Sequence, residues 1–200
     1  MNTVFRLLLL AAAALPARAA ELEGVFLDDR VRVDGQELQL NGIALRTRVI
    51  FKVYVAGLYL PARATTAEAA LSAKGAKRIA LVMLRDATAQ QFVESIEAGM
   101  RNNNTEAELA AVRPQTEELM ATIRAVGQAR SGMRIVLDYA PSKRATTLVV
   151  DGVAQGRPMP GEDFYRALLR IWLGDNPGQA DLKQALLGQS SDHRGTEYAR

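Results

Sequence analysis

The sequence predicts an α+β domain, a large antiparallel sheet with a helical layer packed on one face, and three observations lead there. Strand-like and helix-like segments are segregated along the chain rather than alternating, which disfavours a parallel sheet with crossover helices. The tight-turn dipeptide Asp34-Gly35 lies between β-capable runs, as in an antiparallel hairpin, and Asp151-Gly152 closes another such run. Three Thr-x-x-Glu/Gln capping boxes cluster in the central third of the chain. Composition agrees: 200 residues, 48% apolar and 24% charged, with no Cys, describe one ordinary globular domain. A chain of this length buries roughly 70% of its unfolded surface, enough for a core and an internal cavity.

The first apolar stretch reads as a leader. Arg6 precedes an apolar run from Leu7 to Leu15, and Ala17-Arg18-Ala19 follows as an Ala-x-Ala cleavage site. These are the three parts of a secretory signal peptide over residues 1–19, and the run is shorter than the ~20 residues a membrane span needs. No stable membrane span is therefore expected after cleavage, and a periplasmic or secreted location is. Removing Arg6 and Arg18 lowers the 25 Lys and Arg to 23 against 22 acids, a net charge of +1. That balance, evenly mixed along the chain, argues against a nucleic-acid partner, whose phosphates call for a concentrated basic face. An exported chain without Cys rests on packing alone.

The elements follow in order. Val31, Val33 and Leu38, Leu40 flank Asp34-Gly35, a hairpin. Arg46 to Leu60 (RTRVIFKVYVAGLYL) is β-branched and aromatic and closes at Pro61, so it reads as one long strand or two joined by a bend. Apolar residues on both of its faces make it the centre of the sheet. Thr65 with Glu68, Thr88 with Gln91 and Thr105 with Glu108 predict helices over 66–74, 89–101 and 105–112. Arg78–Leu84 between the first two is a strand. Pro114 opens a helix that runs to Val126 before Gly127. Met133–Tyr139 and Thr146–Val150 form a strand pair, with Asp151-Gly152 and Gly156 read as turn and loop. Phe164, Leu168, Ile171 and Trp172 repeat at helical spacing up to Gly174, and Asp181–Leu187 is a last short helix. The domain thus covers 20–188, and the polar, aperiodic tail 189–200 reads as disordered.

The chemistry is bounded by absence. The single His, His193, lies in that tail, so thiol nucleophiles, Cys or His zinc sites and a Ser-His-Asp triad lack their parts. Asp28-Asp29 and Glu117-Glu118 are adjacent acids that point in different directions and hold no metal alone. No glycine-rich phosphate loop is present, and no cofactor is indicated. What stands out is cationic and hydroxylated residues in the most apolar strand: Arg46, Arg48, Lys52 and Tyr54, which alternation puts on one face with Ile50 and Leu58. A buried arginine needs water or an anion. Against this stands ordinary snorkelling to solvent, which the residue types alone favour.

Two segments carry a resemblance. LNGIALRTRVIFKVYVAGLYLP (Leu40–Pro61) and GEDFYRALLRIWLGDNPGQADLKQALLG (Gly161–Gly188) resemble the bacterial, secreted branch of the chalcone isomerase-like family. The resemblance implies the fold read above, with an apolar cleft between sheet and helices. The family holds true chalcone isomerases, fatty-acid-binding proteins and members without established activity. Motif against motif, its catalytic arginine falls on Arg46 and its threonine on Tyr54. The catalytic tyrosine falls near Phe92, the lysine near Ser95 and the asparagine near Gly99, so three polar roles are missing. An arginine and a tyrosine at positions 46 and 54 are what the resemblance implies for holding a carboxylate, in the manner of the fatty-acid-binding branch.

The reading is therefore a noncatalytic protein holding a small apolar acid such as a fatty acid, with Arg46 and Tyr54 at its carboxylate. Phe92, Ile96 and Met100 are the candidate lining for the tail, with Leu119 and Ile123 further along; ordinary core packing is the competing account of each. Two alternatives remain: an isomerase or lyase acting on a chalcone-like enone, and a structural or partner-binding module whose cleft is filled by its own side chains. No particular protein partner is indicated. One geometric condition is strict. Arg46 and Tyr54 would stand ~26 Å apart on a straight strand, so a shared ligand requires a bend, bulge or loop between Arg46 and Phe51.

Overall fold

The structure, a computed structural model, describes residues 19–189. The expected leader, apart from Ala19, and the tail with His193, apart from Gln189, lie outside the described residues. Seven strands form one antiparallel sheet in chain order: β3 (Arg30–Val33), β4 (Gln36–Arg48), β5 (Phe51–Leu60), β6 (Lys77–Met83), β7 (Arg134–Ala140), β8 (Ala145–Val150) and β9 (Val153–Pro160). A separate hairpin, β1 (Ala19–Leu22) with β2 (Val25–Asp28), precedes them. The expected α+β architecture is what is found. Asp34 and Gly35 take φ of 52° and 76°, and Asp151 and Gly152 47° and 83°, the left-handed pairs that tight hairpins require.

The segment 46–60 is two strands, not one. β4 ends at Arg48, Val49 and Ile50 turn the chain, and β5 returns antiparallel with Arg48 opposite Phe51. β5 lies between β4 and β6, inside the sheet as expected.

Six helices pack on one face. Of α1 (Ala67–Ser72), α2 (Ala89–Asn103), α3 (Glu106–Ala111), α4 (Arg113–Val126), α5 (Glu162–Leu173) and α6 (Ala180–Leu186), all but α3 bury apolar residues in one core with Leu58, Leu60, Ile79, Leu81 and Leu137 of the sheet; α3 buries none fully. The boxes at Thr88 and Thr105 form as read, with Gln91 and Glu108 reaching back to the cap. The first helix is capped instead by Thr66, which accepts from Ala69 N–H at 3.2 Å, one residue later than expected. Only Thr65 has a Glu three residues on; Thr66 faces Ala69, so the helix has a simple N-cap hydrogen bond in place of the expected box.

The opposite face of the sheet curls on itself. Val33 of β3 joins Tyr59, Ala80 and Val136 in a small core, and Ser142 N–H, beyond β7, donates to Asp34 at 2.8 Å across the opening. Leu27 of the β1–β2 hairpin covers Val55 and Val82. Three strands were not anticipated: β1 and β2, which precede the first hairpin read from the sequence, and β9, read as loop, which contains Gly156, Pro158 and Pro160. The last of these has a plain reason. β9 is an edge strand with a single neighbour and mostly exposed side chains, where proline's missing N–H and glycine's weak strand preference cost little. Among the described residues no helix is long and apolar enough to cross a membrane.

Candidate functional site

Between the sheet and helices α2, α5 and α6 lies a cavity of about 860 Å³. Its sheet wall is made by the β4–β5 hairpin and by Leu81 and Met83 of β6, its helical wall by Phe92, Ile96 and Ile171. The volume falls within the range of small-molecule sites, so the cleft is not filled by its own side chains.

The hairpin meets the condition set by the sequence. Arg46 and Tyr54 are direct cross-strand partners. A bulge makes this useful: Arg46 opposes Tyr54 while Thr47 opposes Lys52, so Val53 is the extra residue on β5. Two consecutive side chains, Val53 and Tyr54, thereby face the cavity with Arg46 and Arg48. The same bulge corrects the expectation that Lys52 shares their face. Lys52 leaves the cleft and pairs with Glu23 of the β1–β2 turn at 2.6 Å, since strict alternation fails at an inserted residue.

Tyr54 is held by Trp172, whose indole N–H donates to the phenol oxygen at 3.0 Å. An indole can only donate, so the phenol accepts here and keeps its own proton for another acceptor. No hydrogen bond from that hydroxyl to an acceptor occurs among the described residues. Burial pushes the phenol above its ordinary range, opposed by the Trp172 hydrogen bond and the Arg46 charge. Tyr54 therefore stays neutral and protonated at physiological pH.

Arg46 is half-buried and has no carboxylate within ion-pair distance among the described residues. Its Nη1 reaches only Gln179 Oε1, at 3.5 Å. Gln179 is itself fixed: its oxygen accepts from Thr47 N–H at 2.9 Å and its amide donates to Leu45 O at 3.0 Å, closing the open edge of β4 as a strand would. Gly178, at φ 57°, runs over the guanidinium, where a side chain would stand about 3.4 Å from Nη2. The loop carrying these residues is tied to α2 by Asn103, which accepts from Asn176 N–H at 2.8 Å and donates to Asn176 O at 2.9 Å.

The remaining candidates separate. Phe92 and Ile96 line the cavity. Met100 does not: it is 1% exposed in the core beside Thr116 of α4, although its neighbours Gly99 and Arg101 border the cavity. Leu119 is likewise core, and Ile123 borders a separate small void beside β8. The three positions where the resemblance expects catalytic groups all border the cleft. Phe92 supplies a ring. Ser95 turns its hydroxyl back to Gln91 O at 2.8 Å. Gly99 is filled by its neighbour, for a Cβ there would stand 2.7 Å from Ile171 Cγ2. The cavity's two acids are engaged with protein partners: Asp86 accepts from Ser131 N–H at 2.8 Å, and Glu94 from Gln90 at 2.8 Å.

Sequence reasoning missed Trp172 and Gln179 as site residues. Trp172 looked like helix packing. The available signal was that a buried indole N–H needs an acceptor, and its helical stripe faces a strand bearing Tyr54. Gln179 carried no signal, since its role depends on an open strand edge set by the topology.

A curled seven-stranded antiparallel sheet under a helical layer is the architecture of the chalcone isomerase-like fold. The chain matches the chalcone isomerase-like family over residues 19–188 and belongs to that family. In structure it is similar to a fatty-acid binding protein of Arabidopsis thaliana, with a TM-score of 0.66 and 11% identity, over 85% of this chain and 96% of the other. No curated protein sequence matches the chain.

Proposed function

We propose that the protein is a noncatalytic carrier of a small apolar monocarboxylic acid such as a fatty acid, acting in the bacterial periplasm after export. The carboxylate lies between Arg46, whose guanidinium donates two parallel N–H bonds, and Tyr54, whose free O–H adds a third. The tail runs along Phe92, Ile96 and Ile171. The observation that carries this reading is the pairing of an ion-pair-free guanidinium with a phenol whose acceptor side is taken by Trp172, so that both groups offer only donors to the cleft.

The lack of side-chain polarity at Phe92 and Gly99, and the inward bond of Ser95, support binding over isomerisation. A proton-transfer reaction needs a group that gives or takes a proton at substrate, and Tyr54 held above its ordinary range is a poor base at neutral pH. The pattern of residues 1–19 supports export.

The test is extraction of the purified protein and mass spectrometry of what it holds, with displacement of a fluorescent long-chain acid in the same preparation. A retained acid, and displacement weakened by Arg46→Ala, are expected. No retained acid together with Arg46→Ala binding as the parent overturns the reading. Turnover of an enone that is lost in Tyr54→Phe would replace it with the isomerase.

A further inference from the structure

The β4–β5 turn is built against the usual preferences for such a turn. A two-residue hairpin turn is polar and takes Gly, Asn or Asp at positive φ. Here the pair is Val49-Ile50, and Val49 stands at φ 57°, a conformation that a β-branched residue resists. Both side chains point away from the protein: Val49 is 91% exposed and Ile50 82%. The next residue, Phe51, is 53% exposed, so three of the five exposed large hydrophobics among the described residues are consecutive at this tip. Core packing does not explain Val49 and Ile50, which belong to none of the buried clusters.

The tip is also the rim of the cleft, since Arg48, Val49, Phe51 and Arg85 all border the cavity. The charges around it are unequal. Arg85 stacks its guanidinium over the Phe51 ring at 4.4 Å. Arg48, Arg85 and Arg101, which border the same cavity, have no ion-pair partner among the described residues. Of the nearby acids Glu23 is paired with Lys52, whereas Asp86 and Glu94 bond only neutral groups of Ser131, Gln128 and Gln90 and keep their charge, so four arginines border the cavity against two carboxylates.

We propose that the Val49–Ile50 tip inserts into an anionic lipid surface, with the arginine collar on the headgroups, so that the cleft mouth opens onto the bilayer. Two protruding apolar side chains are too small a patch for a stable protein interface, which buries about 1,200 Å² or more. Shallow insertion of a few apolar side chains under basic residues is, by contrast, sufficient for reversible attachment to charged lipid. The backbone strain at Val49 persists because the exposed side chain has a use outside the fold. Attachment here does not depend on which acid the cleft holds.

The experiment is flotation of the ligand-free protein with vesicles of phosphatidylcholine containing phosphatidylglycerol, against vesicles of phosphatidylcholine alone. Binding to the anionic vesicles only, weakened by salt, is expected. The double variant Val49→Gly with Ile50→Ser should lower the bound fraction at least about tenfold, since it removes the inserted apolar area. It suits the turn better than the parent, so its thermal midpoint should hold or rise, which separates lost docking from lost folding. Arg46→Ala should float like the parent while losing the fluorescent acid, so failure of the ligand reading and failure of this one are told apart. Absence of binding to anionic vesicles, undiminished binding of the double variant, or self-association of the parent that the double variant abolishes would each overturn the proposal.

Discussion

Replacing Arg46 by Met separates a ligand clamp from a structural arginine, because the two roles predict opposite pairs of outcomes. In the free protein Arg46 contributes one long contact, 3.5 Å to Gln179, and Gln179 keeps its bonds to Thr47 N–H and Leu45 O without it. Unfolding stability should therefore change by no more than about 0.5 kcal/mol, the range of a surface substitution. With an acid bound, the guanidinium supplies charge-assisted hydrogen bonds worth about 1.5–3 kcal/mol. The half-buried setting argues for the lower part of that range. About 2 kcal/mol corresponds to a roughly 30-fold weaker dissociation constant. The control is chemical: a straight-chain alcohol with the same tail has no carboxylate and should lose less than about threefold, the difference expected from reshaping the wall alone. The assay is displacement of a fluorescent acyl probe by acid and by alcohol, on parent and variant, with thermal unfolding of both. Equal losses for acid and alcohol would show that Arg46 shapes the cavity rather than meeting a charge. A thermal midpoint lower by several degrees would show that it holds the fold.

Three further outcomes follow from the same geometry. Trp172→Phe removes the donor to the Tyr54 oxygen, a loss of about 0.5–1.5 kcal/mol that should weaken the acid threefold to tenfold; in a Tyr54→Phe background it should add little, which a double-mutant cycle by displacement reads directly. Gly99→Ala forces α2 away from the stiff, β-branched Ile171 and should cost about 1–3 kcal/mol by denaturant unfolding, with partial recovery in Gly99→Ala plus Ile171→Ala. Glu108 is held down to about 2 by the Thr105 backbone N–H and by Arg170, so its contribution to stability is present above the ordinary carboxylate pKa and is lost as pH falls toward 2. Parent protein should then exceed Glu108→Gln in urea midpoint at pH 6, with the gap closing near pH 2, and a gap that does not change with pH would refute the assignment.

Most of the fold was readable because most of its elements carry their signals locally. The left-handed pairs Asp34-Gly35 and Asp151-Gly152, the boxes at Thr88 and Thr105, and the apolar stripe of α5 each act within a few residues. What escaped depends on neighbours. β9 is made a strand by pairing with β8 along one edge, and its own Gly and Pro argue against it. The bulge at Val53 exists because two strands meet out of step near the end of a hairpin, and it alone decides that Lys52 leaves the cleft. Alternation along one strand holds no information about such an insertion.

The site divides along the same line. Residue types singled out Arg46, Arg48, Lys52 and Tyr54, the resemblance narrowed them to Arg46 and Tyr54, and the spacing of eight residues stated what the chain had to do between them. The turn that satisfies that condition lies at Val49-Ile50, a dipeptide with none of the composition of a turn. A sequence optimised only for folding would put Gly followed by a polar residue there, since only the first position has positive φ, and the strand break would then be visible without a structure. The residues that hid the hairpin are thus the ones whose side chains the fold leaves bare at the mouth of the cleft. The failure of local turn rules and the exposed apolar tip are one fact: where sequence and backbone disagree, something other than folding has selected the residue. Relieving that disagreement should favour the fold and cost the protein its contact with lipid, and these two effects together are what distinguish a functional strain from an accidental one.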